Sequence, residues 1–275
     1  MLDKSKGNPL IHKARKRFGQ NFLHDPSIIQ RIVYSIDPQP GDNLVEIGPG
    51  QGAITLELLA ILQKMQAVEL DRDLIEPLSR LCAPVGELLI HQADALKFDF
   101  TTLANPERPL RVVGNLPYNI STPILFHLLD QSDNIKDMHF MLQKEVVERM
   151  AAEPGSKTYG RLSVMLQARC QVDALFIIGP GAFNPPPKVD SAFVRLTPHS
   201  SPPCRIDDWE VFRQLVNQAF SQRRKTLRNS LRKLLDVEQI EAAGIDPTTR
   251  PEQLSLIEFA HLANRLASES IEKPD

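Results

Sequence analysis

Between residues 43 and 142 the chain alternates short apolar runs with segments of helical period, and no other feature restricts its fold as strongly. The runs 43–47, 65–70, 87–91, 110–113 and 137–142 have strand length, whereas 53–62, 71–81 and 122–129 place apolar residues at helical spacing. A strand, a crossover helix and a second strand in the same direction make a βαβ unit. Five such strands predict an α/β fold on a mostly parallel sheet. Further helices are expected at 144–152 and 161–170, and the strand-like pieces 172–178 and 191–196 flank a turn-rich loop, 179–190, which suits an antiparallel sheet edge. The Pro- and Ser-rich stretch 199–204 reads as a linker. It divides the chain into a first domain, 1–200, and a small all-helical domain, 205–275. In the latter, Leu215, Ala219, Phe220, Leu227, Leu231, Leu234 and Leu235 recur at helical spacing and 254–266 reads as a final helix.

Composition removes several classes of protein. With 275 residues, 42% hydrophobic and 24% charged, the chain is an ordinary globular mixture, and it contains no apolar run of the roughly eighteen residues that span a bilayer. Residues 1–20 are polar and basic without an apolar core, so neither a secretory signal nor a lipid anchor is read there, and a cytoplasmic protein without membrane partners is expected. Cys82, Cys170 and Cys204 lie far apart, which argues against a disulfide framework and against a metal site. The formal net charge is -2, but its distribution is uneven. Residues 1–20 carry six basic against one acidic side chain and 204–235 carry eight against three, while 236–275 carry three against nine. Two basic patches suited to nucleic-acid phosphates are thus masked by an acidic tail.

The segment from Val45 to Gly52 ends a predicted strand and opens a predicted helix, with Gly48, Gly50 and Gly52 spaced G-x-G-x-G. A dinucleotide loop would follow G-x-G-x-x-G around a pyrophosphate, so the spacing, with Glu46 just before it, favours another nucleoside. Glu46 suits the amine of a methionine moiety, directly or through water. Glu69, closing the next strand, stands where open α/β sheets place a carboxylate that accepts from ribose hydroxyls, in NAD or S-adenosylmethionine alike. Asp94, beyond the third strand, could accept from an adenine amine. Three acids at successive strand ends favour an uncharged or cationic nucleoside, hence S-adenosylmethionine, although any one of them alone could be a solvated strand-end carboxylate.

Gly114-Asn115-Leu116-Pro117-Tyr118 follows the fourth apolar strand. The exocyclic amine of adenine is a poor nucleophile because its lone pair is delocalised into the ring. If the Asn115 side-chain oxygen and the Leu116 carbonyl accept its hydrogens, the nitrogen is drawn toward tetrahedral geometry and its lone pair is exposed. Pro117 completes the Asn-x-Pro-Tyr peptide, and Pro185 to Pro187 would hold the loop around Phe183 rigid. Tyr118 can stack on the base, a contact worth about 1–3 kcal/mol. Phe183, in the loop 181–190, could cover the other face of the adenine, or could be a packing residue. Read without a ligand, the same peptide is a turn between strand and helix.

These segments, with Arg17–Leu23, Met141–Glu145, Tyr159–Ser163 and Phe183–Ser191, together resemble the bacterial small-subunit (16S) ribosomal RNA adenine N6,N6-dimethyltransferase family over nearly the whole chain. The resemblance implies a class I S-adenosylmethionine-dependent methyltransferase fold, Rossmann-like, with a small C-terminal helical domain. It implies dimethylation of two adjacent adenines in the 3′-terminal hairpin loop of 16S rRNA, on the maturing small ribosomal subunit. By position it carries cofactor contacts to Asn21, Leu23, Gly48, Glu69, Asp94 and Asn115, and makes the N-terminal stretch a lid over the cofactor whose basic leader, including Arg15, Lys16 and Arg17, meets RNA. In the second domain, 222–234 is expected to form a helix with Leu227, Leu231 and Leu234 inward and Arg223, Arg224, Lys225 and Arg228 toward phosphate. A monomer is expected. Rival readings are a large-subunit adenine methylase of the antibiotic-resistance type, an assembly factor and, more remotely, a dehydrogenase.

Overall fold

In the computed structural model residues 20–272 are described, apart from 106 and 223. A seven-stranded sheet has the order β4-β3-β2-β5-β6-β9-β7, from β2 (Asn43–Ile47), β3 (Lys64–Glu69), β4 (Glu87–Gln92), β5 (Leu110–Asn115), β6 (Ile135–Gln143), β7 (Cys170–Ile178) and β9 (Ser191–Pro198). The pairs β2·β3, β3·β4, β2·β5 and β5·β6 are parallel and β9 runs antiparallel to β6. The mostly parallel α/β expectation therefore holds. A second sheet of two short strands, β1 (Phe22–Leu23) and β8 (Phe183–Asn184), was not foreseen.

The order has a functional consequence. The chain runs outward from β2 through β3 to β4, then returns to place β5 on the other side of β2, so the sheet has a switch point at the carboxyl ends of β2 and β5. Open α/β sheets bind ligands at such crevices. The Gly48–Gly52 turn and Asn115 both emerge there.

Helix signals in the sequence explain the local elements. Helix α1 (Pro26–Ile36) has Pro26 at its first position and Asp25 as N-cap, whose Oδ1 accepts from the Ser27 and Ile28 amides at 2.9 and 3.2 Å. It buries Ile32 and Ile36, one turn apart. Helices α2 (Thr55–Leu62) and α3 (Arg72–Cys82) give Leu58, Leu59, Leu62 and Leu78 to a core shared with Leu44, Met65, Val113, Met141 and Phe193. Between β5 and β6 lies α4 (Ser121–Leu129).

Two compact units divide the chain, one of residues up to Lys144 together with Ala174–Leu196, the other of Glu145–Asp173 with residues from Thr197 onward. Residues 145–173, assigned to the first domain by the sequence reading, thus cluster with the second unit. That unit contains α5 (Lys144–Met150, from its second residue), α6 (Arg161–Gln167), α7 (Trp209–Ala219), α8 (Leu227–Ser230), α9 (Val237–Ala242) and α10 (Leu256–Glu272). Helix α7 is capped by Asp208, which accepts from the Glu210 and Val211 amides, and buries Phe212, Leu215, Val216 and Ala219 against α10.

The expected helix at 222–234 requires correction. Of the described residues in that range Leu227–Ser230 alone are α-helical, and Thr226 before them is extended. The Leu227 and Arg228 amides donate to the carbonyls of Thr249 and Pro247, so that loop, and not an earlier turn of helix, takes the first amides of α8. Leu227 and Leu231 are buried as expected, Leu234 only partly, and Leu235 takes the remaining core position.

Candidate active site

At the switch point lies a cavity of about 340 Å³, large enough for a nucleoside ligand. Its wall includes Asn21, Leu23, Glu46, Gly48, Gly50, Glu69, Asp94, Asn115, Leu116, Pro117 and Tyr118, so all of these expected site residues are brought together. Three of them are carboxylates, and among the described residues no Lys, Arg or His belongs to the wall. Such a lining repels phosphates and attracts a cation.

The floor is built by backbone in a conformation that favours glycine. Gly48, Gly50 and Gly52 all have positive φ, and a Cβ placed on Gly50 would stand 3.1 Å from the Phe22 ring of β1. The Gly50 amide donates to Glu69 Oε2 at 3.3 Å and the Asp71 amide to Glu69 Oε1 at 2.8 Å, tying the glycine turn to the end of β3. Glu69 is 7% exposed, and burial, opposed by these backbone donors, raises its pKa. Glu46, 2% exposed, accepts from the Thr55 hydroxyl at 2.6 Å. Burial pushes its carboxyl up to about 7, against the Thr55 hydrogen bond and helped by the nearby Glu69 charge. Asp94, half-buried, accepts from the Leu96 amide at 3.0 Å.

Opposite the acids stands the Asn115–Tyr118 turn. Leu116 donates its amide to the Met141 carbonyl at 3.2 Å, which fixes the turn to β6. The Asn115 Nδ2 donates to the Asn21 carbonyl at 3.0 Å. A carbonyl can only accept, so this contact sets the orientation of the amide and leaves Oδ1 as the acceptor for another partner. Asn21 belongs to a strap fastened at several points: Gln20 Nε2 donates to Asp71 Oδ2 at 3.2 Å, β1 pairs with β8, and the His24 amide donates to the Ala182 carbonyl at 2.9 Å. The strap thus crosses the cleft from the end of β3 to the end of β5.

Phe183 takes the packing role, not a place on the cavity wall. It is 3% exposed and sits in the core with Leu23, Ile178 and Phe193, because the β1·β8 register sets it opposite Leu23. Arg224, Lys225 and Arg228 are exposed, whereas Arg15, Lys16, Arg17 and Arg223 lie outside the described residues. Sequence reasoning missed Thr55, which holds Glu46, and Phe22, Gln20 and Met141, which build the cleft around the acids; their only sequence signal was proximity to the glycine loop or membership of the quoted motifs. Among the described residues no group of His, Cys, Asp and Glu could hold a metal ion, and no helix is long and apolar enough to cross a membrane.

Comparison with known proteins reaches the same region. The sequence profile of the ribosomal RNA adenine dimethylases matches residues 11–268. The ribosomal RNA small subunit methyltransferase A of Pseudomonas aeruginosa is 59% identical over 256 residues, 93% of this chain and 96% of that protein. A dimethyladenosine transferase from Plasmodium falciparum superposes with a TM-score of 0.77 at 25% identity, over 90% of this chain and 98% of that one. The 23S rRNA methyltransferase ErmE superposes with a TM-score of 0.71, also at 25% identity, over 90% of this chain and 100% of that one.

Proposed function

The chain belongs to the ribosomal RNA adenine dimethylases, and from that premise we propose that its acidic cleft holds S-adenosylmethionine beside an adenine of the small-subunit ribosomal RNA. The chain is an rRNA adenine dimethyltransferase. The finer reading is that it dimethylates two adjacent adenines in the 3′-terminal hairpin loop of 16S rRNA on a maturing small subunit. The high identity to a small-subunit enzyme over nearly the full length favours that substrate over the large-subunit one of ErmE, which matches at 25%.

The observation that carries the chemical reading is the fixed orientation of Asn115. With its amide nitrogen committed to the Asn21 carbonyl, Oδ1 accepts a hydrogen from the adenine amine, and the Leu116 carbonyl accepts the second. In the first transfer both acceptors draw the amine out of conjugation, and in the second the one remaining hydrogen goes to Asn115 Oδ1; no strong base is needed, because the cationic nitrogen formed each time releases its proton to solvent. S-adenosylmethionine supplies a methyl group activated on a sulfonium. Glu69 accepts from its ribose hydroxyls, Asp94 from its adenine amine, and Glu46 faces its ammonium end. Tyr118 stacks on the target base, and alignment of nucleophile and methyl group supplies much of the rate. A base reached in this way has left its helix, which suits a loop adenine. In the second unit Arg224, Lys225 and Arg228 contact RNA phosphate, and with Arg15, Lys16, Arg17 and Arg223 they supply the electrostatic part of subunit binding.

The test is transfer of labelled methyl from S-adenosylmethionine to small subunits lacking adenine dimethylation, beside mature small subunits and large subunits. Label recovered as dimethyladenine in the undermethylated small subunits alone is the expected result. Label in large subunits would replace the substrate assignment with the ErmE-like one.

A further inference from the structure

Strand β9 has no part in the chemistry described so far, yet it starts at the active-site end of the sheet. Because it runs antiparallel to β6, its first residue, Ser191, pairs with the last residue of β6, Gln143. A parallel strand in that place would bring its end there instead. Ser191 is 1% exposed and is not part of the cavity wall. Its hydroxyl shares a hydrogen bond of 2.7 Å with the phenol of Tyr118, which does line the cavity and lies 73 positions away in sequence.

We propose that Ser191 is a positioning residue for the methyl-transfer reaction, acting through the Tyr118 hydroxyl to fix where the far end of the ring lies, and with it the place of the face on which the target adenine stacks. The inference rests on the reading that Tyr118 stacks on that base. A tyrosine ring is carried on two rotatable bonds, and its root is held here: the Ile120 amide donates to the Pro117 carbonyl at 3.1 Å and the Ser121 hydroxyl to the Tyr118 carbonyl at 3.2 Å. Those contacts hold the backbone but leave the ring free to swing about the Cα–Cβ bond. A hydrogen bond at the para oxygen, which lies on the long axis of the ring, anchors its far end and stops that swing. Stacking is sensitive to offset, so a ring axis set by the protein places the adenine amine relative to Asn115 Oδ1 before the base arrives. Ser191 thereby transmits the rigidity of the β6·β9 ladder to a loop residue. It also binds the phenol to a neutral hydroxyl, which gives Tyr118 a structural rather than a proton-transferring task.

The test is a double-mutant cycle on undermethylated small subunits, comparing Ser191→Ala, Tyr118→Phe and the double variant. Cofactor affinity and thermal unfolding are followed for each. Removing one neutral hydrogen bond is expected to lower kcat about fivefold in either single variant. KM, cofactor affinity and Tm should stay close to wild type. The double variant should be no slower than either single one, because both remove the same bond. Wild-type kcat in Ser191→Ala overturns the proposal, and so does a double variant whose loss is the product of the two single losses. Should Ser191→Ala fail to fold, Ser191→Cys substitutes, with a weaker donor of similar size and an expected intermediate loss. Tyr118→Ala separates this proposal from the reading beneath it. If Tyr118→Ala is slow while Ser191→Ala is normal, only the role of Ser191 falls; if Tyr118→Ala turns over normally, the stacking reading falls with it.

Discussion

The two ends of one sheet both bury carboxylates and treat them in opposite ways. At the amino end, the Arg111 guanidinium bonds Asp137 Oδ1 at 2.9 Å and Asp42 Oδ2 at 2.6 Å, and also donates to the carbonyls of Ile36 and Asp37. Each charge there is met by the protein. At the carboxyl end Glu46, Glu69 and Asp94 meet, among the described residues, hydroxyl and amide donors and no cation on the cavity wall. Compensated burial of charge is architecture. Uncompensated burial, in a cleft of ligand size, is a site waiting for charge from outside.

If this contrast is right, damage at the amino end should cost stability and damage at the carboxyl end should cost function. The largest effect is expected for Arg111→Ala, which leaves two acids buried without their cation and should destabilise by about 3–5 kcal/mol in denaturant unfolding. A stable, active variant would break the contrast. Asn115→Ala should lower kcat about 100- to 1000-fold while leaving Tm and cofactor binding near wild type, as for loss of an oriented polar group at a reacting centre. Glu69→Ala should weaken cofactor binding by roughly ten- to a hundredfold in calorimetric titration, with little loss of stability, because hydrogen bonds to a charged group are worth about 1.5–3 kcal/mol.

The smallest effect sharpens the comparison through pH. Glu46 has a folded pKa of about 7 against an ordinary 4.5, so the stability it contributes is complete below 4.5 and is lost as pH rises through 7. Beside the amino-end cluster, in the middle of β6, His139, buried with its Nδ1 3.6 Å from Asp137 and unbonded, has a pKa pushed down to about 4, chiefly by burial, from an ordinary 6.5. It stays neutral in the fold, so its contribution is complete above 6.5 and is lost as pH falls toward 4. In the cofactor-free protein, Glu46→Gln should flatten the decline of Tm above pH 5, and His139→Gln the decline below pH 6.5. Unchanged slopes would mean that neither group titrates as its surroundings dictate.

How much of this could be read beforehand depended on distance along the chain. The glycine turn, Glu46, Glu69, Asp94 and Asn115 each sit within a few residues of a strand end, and strand periodicity locates strand ends. Nothing local announces that Phe22 pairs with Asn184, since a two-residue strand has no period, nor that Tyr118 meets Ser191. Residues 222 and 224–226 are not helical although basic residues favour helix and the leucines nearby keep its spacing. The competing partners of the Leu227 and Arg228 amides, at 249 and 247, were out of reach of any sequence window. Helix α1 carries its own signal, Asp25 before Pro26.

Calorimetric titration of the purified protein with S-adenosylmethionine and, separately, with NADH tests most directly the claim that the carboxyl end is an acidic site for a cationic nucleoside. The account predicts saturable binding of S-adenosylmethionine and none of NADH, whose phosphates the three carboxylates repel. NADH binding as tightly, or S-adenosylmethionine failing to bind, would contradict it.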